Sequence, residues 1–472
     1  MRSLFLYGVC AGLLFATNCV VTTDDDDDKD GEAGETSTGG SETSTGGRST
    51  GGSTTGGSAT GGSAEGGMDA GGAGGETDPA TGGTGGATGG VGGSATGGSG
   101  GSGGAPTPVD CSKAETLPAR INTDLSVGPG CVRIDRTSVW EGAKLTIAAG
   151  TTVKFAPAGY LDIDASALSA VGTAAEPIVF TSESDSPAPG DWQCVFLAGA
   201  SSDVDIQHAT FEYGGDGCDA NGASHEGMLT IGSAARAVSN NTFRHSLQHG
   251  VKILPEGNVR TFEDNAFAEN GKPSINVAAP QLLQLGEGLT FAGDDDYILV
   301  DTTFSLKSTG DWLAQPVPFR VVGGFAIDNQ AEVTLLPGLR LELDGSSFEV
   351  FGANLIVAGT EDAPVTFTSS FASPAAGDWG CVLFSSPTGT PRIDHAVFEY
   401  AGNGQGCTGA NYEGALVVPD SAIVRNSTFR DIAGFAIKAQ ECNIEDWCAN
   451  TFEEVEVGPL TCDSPPTATA CP

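Results

Sequence analysis

The chain has 472 residues, of which 60 are acidic and 21 basic, for a formal charge of −39 at neutral pH. That imbalance repels nucleic-acid phosphates and anionic lipid headgroups, and no basic stretch with interleaved aromatics offsets it, so nucleic-acid binding is excluded. The 71 glycines and 12 cysteines are unevenly placed, and their placement divides the chain.

Arg2 precedes an apolar run from Leu4 to Phe15, too short for a membrane-spanning helix but the length of a signal-peptide core. The run ends in Ala16-Thr17-Asn18-Cys19. A cysteine directly after such a core resembles the lipobox of bacterial lipoproteins, which implies that residues 1–18 are removed and Cys19 is acylated. Asn18 stands where that pattern has a small residue, and ordinary signal-peptidase cleavage is the alternative. Either route exports the protein. Residues 19–108 open on Asp24 to Asp28 and continue in near-repeats of TGGS and ATGG. With almost no large apolar side chain to bury, this stretch cannot offset its ordering entropy and is expected to be a disordered tether. Gly-rich chain statistics give it a mean span of roughly 50 Å.

The remainder, residues 109–472, consists of short β-type runs such as Tyr160-Leu161-Asp162-Ile163 and Pro177-Ile178-Val179-Phe180-Thr181, bounded by Gly, Pro, Asn or Asp. No helical period is sustained. The runs are duplicated: GDWQCVF from Gly190 returns as GDWGCVLF from Gly377, and IQHATFEY from Ile206 as IDHAVFEY from Ile393, a constant offset of 187 residues. This predicts two halves, 109–293 and 294–472, the second closed by a Cys-rich cap. A finer period lies in the low twenties. Ile206, Ile231, Ile253 and Ile275 follow it, as do the turn strings at Asn240 and Asp264 and those at Asn426 and Ala449. Such a period is one coil of a three-sided solenoid whose equivalent residues stack at the strand spacing of about 4.8 Å. The expected fold is all-β, an internally duplicated right-handed parallel β-helix; the rival is a pair of β-sandwiches.

The motif Gly172-Thr173…Pro177-Ile178-Val179-Phe180-Thr181-Ser182…Gly190-Asp191-Trp192 and its copy Gly359-Thr360…Pro364-Val365-Thr366-Phe367-Thr368-Ser369…Gly377-Asp378-Trp379 resemble those of pectin-lyase-like parallel β-helix proteins, and more narrowly of bacterial surface proteins. The resemblance is specific for fold and poorly specific for activity.

Ten cysteines follow Cys19, an even number that in an exported chain reads as disulfides. The duplication pairs Cys194 with Cys218 and Cys381 with Cys407, and leaves Cys111 for Cys131. Cys442, Cys448, Cys462 and Cys471 close among themselves in an undetermined order.

Function is sought where the coil period is interrupted. The excess in the first half, Gly214 to Glu226, holds Asp216, Asp219, His225 and Glu226; that in the second, Ala401 to Glu413, keeps only Glu413 of those carboxylates. Glycoside hydrolysis needs paired carboxylates, so Asp216, Asp219 and Glu226 are the catalytic set if this is a polysaccharide lyase or hydrolase. Their loss from the second copy favours a non-catalytic surface lipoprotein that binds extracellular polysaccharide or protein. Equivalent residues repeated along a solenoid are turn or stacking residues, which assigns His208, His395, Asp191 and Asp378 to turns. Trp192 and Trp379 are expected to pack inward rather than stack on sugar. No cofactor is expected. The Asp294-Asp295-Asp296 run has oxygen ligands for Ca²⁺, but a solvated loop is the plainer reading.

Overall fold

The computed structural model describes residues 110–463, apart from 200–202, 221–222, 294, 346, 404–406 and 408–413, and gives no side-chain placement for 219, 220, 223 and 224. The expected signal peptide, Cys19, the tether, Asp294, Glu413 and Cys471 lie outside the described residues.

The short alternating runs fold as strands because each can bury one face only by stacking on the coils before and after it. Among the described strands every pairing is parallel except one hairpin, Cys218–Ala220 with Ala223–His225. Parallel pairing of consecutive coils is what separates a β-helix from the β-sandwich alternative, whose sheets are antiparallel. One ladder is continuous along the body. It runs from Arg120–Ile121 through Val195–Ala198, Gly227–Ile231, His249–Ile253, Ile275–Ala278, Ile298–Asp301, Phe319–Val322, Arg340–Asp344, Val365–Ser369, Ala396–Glu399 and Thr428–Ile432 to Thr451–Val455.

The other two faces change sheets part-way. In the first half they run from Leu125–Val127 to Asn258–Glu263 and from Glu115–Thr116 to Thr290–Ala292. In the second half two new sheets begin at Gly310–Trp312 and Phe325–Ile327. A 3₁₀ turn, Ala279–Gln284, follows the last regular first-half coil.

The sequence copies are not in register with the faces. Ile178–Ser182 pairs with Ala209–Glu212 on a first-half sheet, whereas its copy Val365–Ser369 joins the continuous ladder. On that ladder the first half contributes Val195–Ala198 instead. The second copy is therefore turned by one face relative to the first. Its signature is the aromatic core. Phe180, Phe211, Phe243, Phe267 and Phe291 stack on one ladder at 4.4–5.4 Å between centroids. Phe367, Phe398, Phe429 and Phe452 stack on the other at 4.8–5.6 Å.

The isoleucine spacing is corrected in part. Ile231 and Ile253 are neighbours as the period requires, but Ile275 pairs with Val251 and Ile206 belongs to another sheet, beside Val238. Coils differ in length by a few residues, so a run of equal spacings does not stay on one face. The turn strings hold better. Asn240 and Asp264 take left-handed backbone (φ 58° and 53°), and so do His208, His395 and Asn426 (φ 49°, 49° and 53°); both histidines are corner residues. Beside them, buried Asn241 donates from Nδ2 to Asn265 Oδ1 at 3.1 Å and accepts from the Ala209 amide at 2.9 Å. Asn265 in turn donates to the Val238 carbonyl at 2.9 Å. These bonds satisfy backbone groups that the bend takes out of the ladders.

Replacing Phe398 by Ala removes the second ring of a four-ring stack with no exposed surface to relax into. The expected loss is about 3–5 kcal/mol, read as a lowered urea midpoint; an unchanged midpoint would show the stack to be dispensable.

Candidate functional site

The first-half loop leaves the ladder of Ile178–Ser182 and Thr242–Arg244 after Ala209–Glu212, forms the hairpin, and joins the continuous ladder at Gly227–Ile231. Its base is fixed by the Cys194–Cys218 disulfide. Cys194, Phe196, Ala198 and Cys218 form a small apolar cluster outside the main core, with Tyr160 and Leu254 against it. The His225 ring lies 5.0 Å from that of Phe196. Cys381, Leu383, Cys407 and Val417 repeat this cluster in the second half, with the Cys381–Cys407 bond present. Cys111–Cys131 also forms. At the C-terminus the order that the sequence left open begins with Cys442–Cys462, and Cys448 is disulfide-bonded too.

Of the three carboxylates of this loop, the side chains of Asp216 and Glu226 are among the described residues. Glu226 is taken by Lys272, whose Nζ donates at 2.7 Å, and that bond holds its carboxyl below the ordinary value. Asp216 is exposed at the start of the loop, and the Asp219 side chain lies outside the described residues. Nearby His249 is buried. Its Nδ1 donates to the Pro273 carbonyl at 2.6 Å, with Nε2 3.4 Å from Asn276 Nδ2. Burial, reinforced by Lys252 and Lys272, depresses its pKa below 6.5 despite the Pro273 bond. Among the described residues no group of three or more His, Cys, Asp or Glu is placed to hold a metal ion. Asp296 caps the Ser274 turn, accepting from its amide at 3.1 Å and from its hydroxyl.

The tryptophans are structural. Trp192 and Trp379 are fully buried, each donating Nε1–H to a backbone carbonyl, that of Glu212 at 2.9 Å and that of Glu399 at 2.7 Å. Asp191 and Asp378 close the preceding turns by accepting from Ser182 and Ser369, both at 2.6 Å.

The larger concavity lies on the outer surface of the continuous ladder in the second half, a groove of about 860 Å³. Because side chains alternate along a strand, the residue after each buried core position points out. Arg320, Glu342, Thr368, Glu399 and Arg430 thus form one column across consecutive coils. Arg320 donates to Glu342 at 2.8 Å and lies 3.7 Å over the Tyr297 ring. Glu399 accepts from Thr368 at 2.8 Å and from Arg430. Tyr400 and Phe371 complete the walls; Phe371 is 51% exposed. Arg340 lines the groove with its nearest carboxylate, Glu342, at 3.5 Å. The sequence reading assigned none of these groove residues to a site: Thr368, Glu399 and Tyr400 entered it only as parts of repeated strings. The available signal was the polar residue that follows the stacked Phe in successive coils, Thr368, Glu399 and Arg430.

Residues 134–226 match the family model of the pectate-lyase-like β-helix domain. No curated protein matches the chain. Among solved structures, the chain is similar to the native GH136 lacto-N-biosidase from Eubacterium ramulus, with 10% identity and a TM-score of 0.18. That alignment takes in 66% of this chain and 62% of the other, less than two thirds of its length.

Two outcomes check this geometry. Replacing Cys218 by Ser should leave Cys194 open to alkylation under denaturing, non-reducing conditions; a blocked Cys194 would overturn the pairing. His249 has a folded pKa below its unfolded 6.5, so its contribution is present above that value and is lost as pH falls through it. Stability should therefore fall as pH is lowered through and below 6.5, and His249→Gln should shrink that fall.

Proposed function

We propose that this parallel β-helix protein is a lipid-anchored surface protein that binds an extracellular glycan along the outer face of its continuous ladder without cleaving it. The observation that carries the reading is the 860 Å³ groove, in which Tyr297, Tyr400 and Phe371 lie beside paired charges on a rigid sheet. Sugar rings bind by laying C–H faces on aromatic rings and hydroxyls on charged or amide groups. A β-helix supplies such contacts at fixed intervals, because each coil repeats its outward column. All nine described cysteines are disulfide-bonded, as in an exported protein held in an oxidising compartment. No described helix is long and apolar enough to cross a membrane, so attachment would rest on acylation of Cys19.

One observation favours the alternative, a glycan-cleaving enzyme. Asp162 faces outward on the first-half ladder between Ser138 and Phe196. Its carboxyl is pushed up to about 6, by burial and then by Asp164, and its Oδ1 is buried without a hydrogen-bond partner. A carboxyl whose pKa is raised toward neutrality, with a second carboxyl beside it, has the form of a glycosidase acid and its companion.

Two experiments test the reading. The full chain is passed over neutral and acidic polysaccharides, with retention and reducing-end release scored together. Retention without release is expected, with Phe371→Ala weakening it by about 0.5–1.5 kcal/mol, roughly two- to tenfold. Release abolished by Asp162→Asn would replace binding by catalysis. In the second experiment, Cys19→Ser should move the protein from the detergent phase to the aqueous phase; unchanged partition removes the anchor.

A further inference from the structure

The cysteine count leaves one bond to assign. All nine described cysteines are disulfide-bonded. Eight of them form Cys111–Cys131, Cys194–Cys218, Cys381–Cys407 and Cys442–Cys462. The ninth, Cys448, is therefore joined to a cysteine outside the described residues, and the chain has three of these, Cys10, Cys19 and Cys471. Spacing separates them. The four assigned bonds join residues 20–26 apart, about one coil, and Cys471 follows Cys448 by 23. Cys10 and Cys19 lie more than 400 residues away.

The last coil shows where that bond falls. Thr451–Val455 stacks on Thr428–Ile432, and Gly458–Cys462 on Phe435–Ala439. On the third face, among the described residues, the ladder ends one coil earlier, at the bridge of Ile423 with Glu445. Cys442 stands at the left-handed corner where that face begins (φ 55°), and Cys448 stands where it ends, in the 3₁₀ turn Trp447–Ala449. Cys442–Cys462 ties the first of these corners to the coil above. The inside of this coil is the end of the core. Phe452 is the last ring of its stack, 5.6 Å from Phe429 and 6.4 Å from Trp447. Phe429 is fully buried, whereas Phe452 and Trp447 are only partly so.

We propose that Cys448 bonds to Cys471 and that residues 464–470 form the third side of the last coil, a lock on the C-terminal end of the solenoid with a disulfide at each corner. This goes beyond the glycan-binding reading and does not depend on it. Eight residues separate Cys462 from Cys471, and at about 3.3 Å each they reach roughly 26 Å. The preceding coil crosses the same side with the five residues between Cys442 and Cys448. The segment Ser464-Pro465-Pro466-Thr467-Ala468-Thr469-Ala470 suits an outermost pass. Its alanines and prolines cover the end of the core, and the two prolines, without N–H, withhold ladder donors from any further chain. A lock has work to do here because each coil contacts only its neighbours, so a solenoid opens from its ends. Cys111–Cys131 holds the opposite end in the same way. The bond forms as the other four do, two thiols giving up two protons and two electrons to a disulfide oxidant of the exported compartment.

The test has two parts. The wild-type full chain is digested without reduction and its linked peptides are identified by mass spectrometry. Cleavage at Glu445 separates Cys442 from Cys448, and cleavage at Asp463 separates Cys462 from Cys471, so the two pairs are read independently. A Cys448–Cys471 peptide is expected; Cys448 linked to Cys19, or to a second copy of the chain, overturns the proposal. This part decides the bond whether or not any variant folds. In the second part amide hydrogen exchange compares wild type with Cys448→Ser/Cys471→Ser, a pair chosen so that no unpaired thiol is left behind. Exchange in Thr451–Val455 and Gly458–Cys462 should quicken at least tenfold, with Ile178–Ser182 and Ala209–Glu212 unchanged. Unchanged exchange in the last coil overturns the lock even where the bond is present, and so does an acceleration spread evenly over the body, since the end would then not open by itself.

Discussion

Parallel stacking of consecutive coils, each strand about 4.8 Å above the last, is the constraint from which the rest of the molecule follows. It places every inward residue directly on the residue one coil earlier. Like then stacks on like, because a phenylalanine above a phenylalanine fills the same cross-section with no void. The stacks from Phe180 to Phe291 and from Phe367 to Phe452 are that requirement made visible. The same rule governs the corners, where Asn241 and Asn265 pass hydrogen bonds from coil to coil.

Stacking also accounts for how the duplication is accommodated. A solenoid has no preferred place to begin a copy, since any face of a coil accepts a strand of suitable width and polarity. The second copy enters turned by one face, and among the described strands only the continuous ladder passes the junction unbroken. On the two other faces new sheets start, with Ala279–Gln284 and the stretch around Tyr297 in the transition. The turn brings Tyr297 beneath Arg320, so the groove contains a residue that belongs to the junction and has no counterpart in the first copy. A duplicated scaffold thereby carries a groove lined in part by a residue from outside the repeated columns.

Outward residues follow a looser rule. They stack as columns too, but water admits any polar side chain, so the two copies were free to diverge there while their cores stayed alike. Ion pairs across such columns contribute little to stability individually; their arrangement matters more for what the surface can receive. The loops pinned by Cys194–Cys218 and Cys381–Cys407 add shape at fixed points without disturbing the coils beneath.

The sequence by itself determined the parallel β-helix, its duplication, three of the disulfide pairs, the buried tryptophans and the corner histidines. Each of these depends on local spacing or on a repeated string, and repetition is visible without coordinates. Which coil positions share a face was decided only by the tertiary structure, as Ile206 and Ile275 demonstrate: coils vary in length, and a small change moves a side chain to another sheet. The groove was hidden for the same reason. Tyr297, Arg320, Arg340, Phe371 and Arg430 are separated by dozens of residues and form no motif, and only stacking on one ladder brings them together. Conversely, Asp216, Asp219 and Glu226 are close in sequence, yet the fold gave Glu226 to Lys272, which lies just before Ile275–Ala278, two strands along the ladder from Gly227–Ile231.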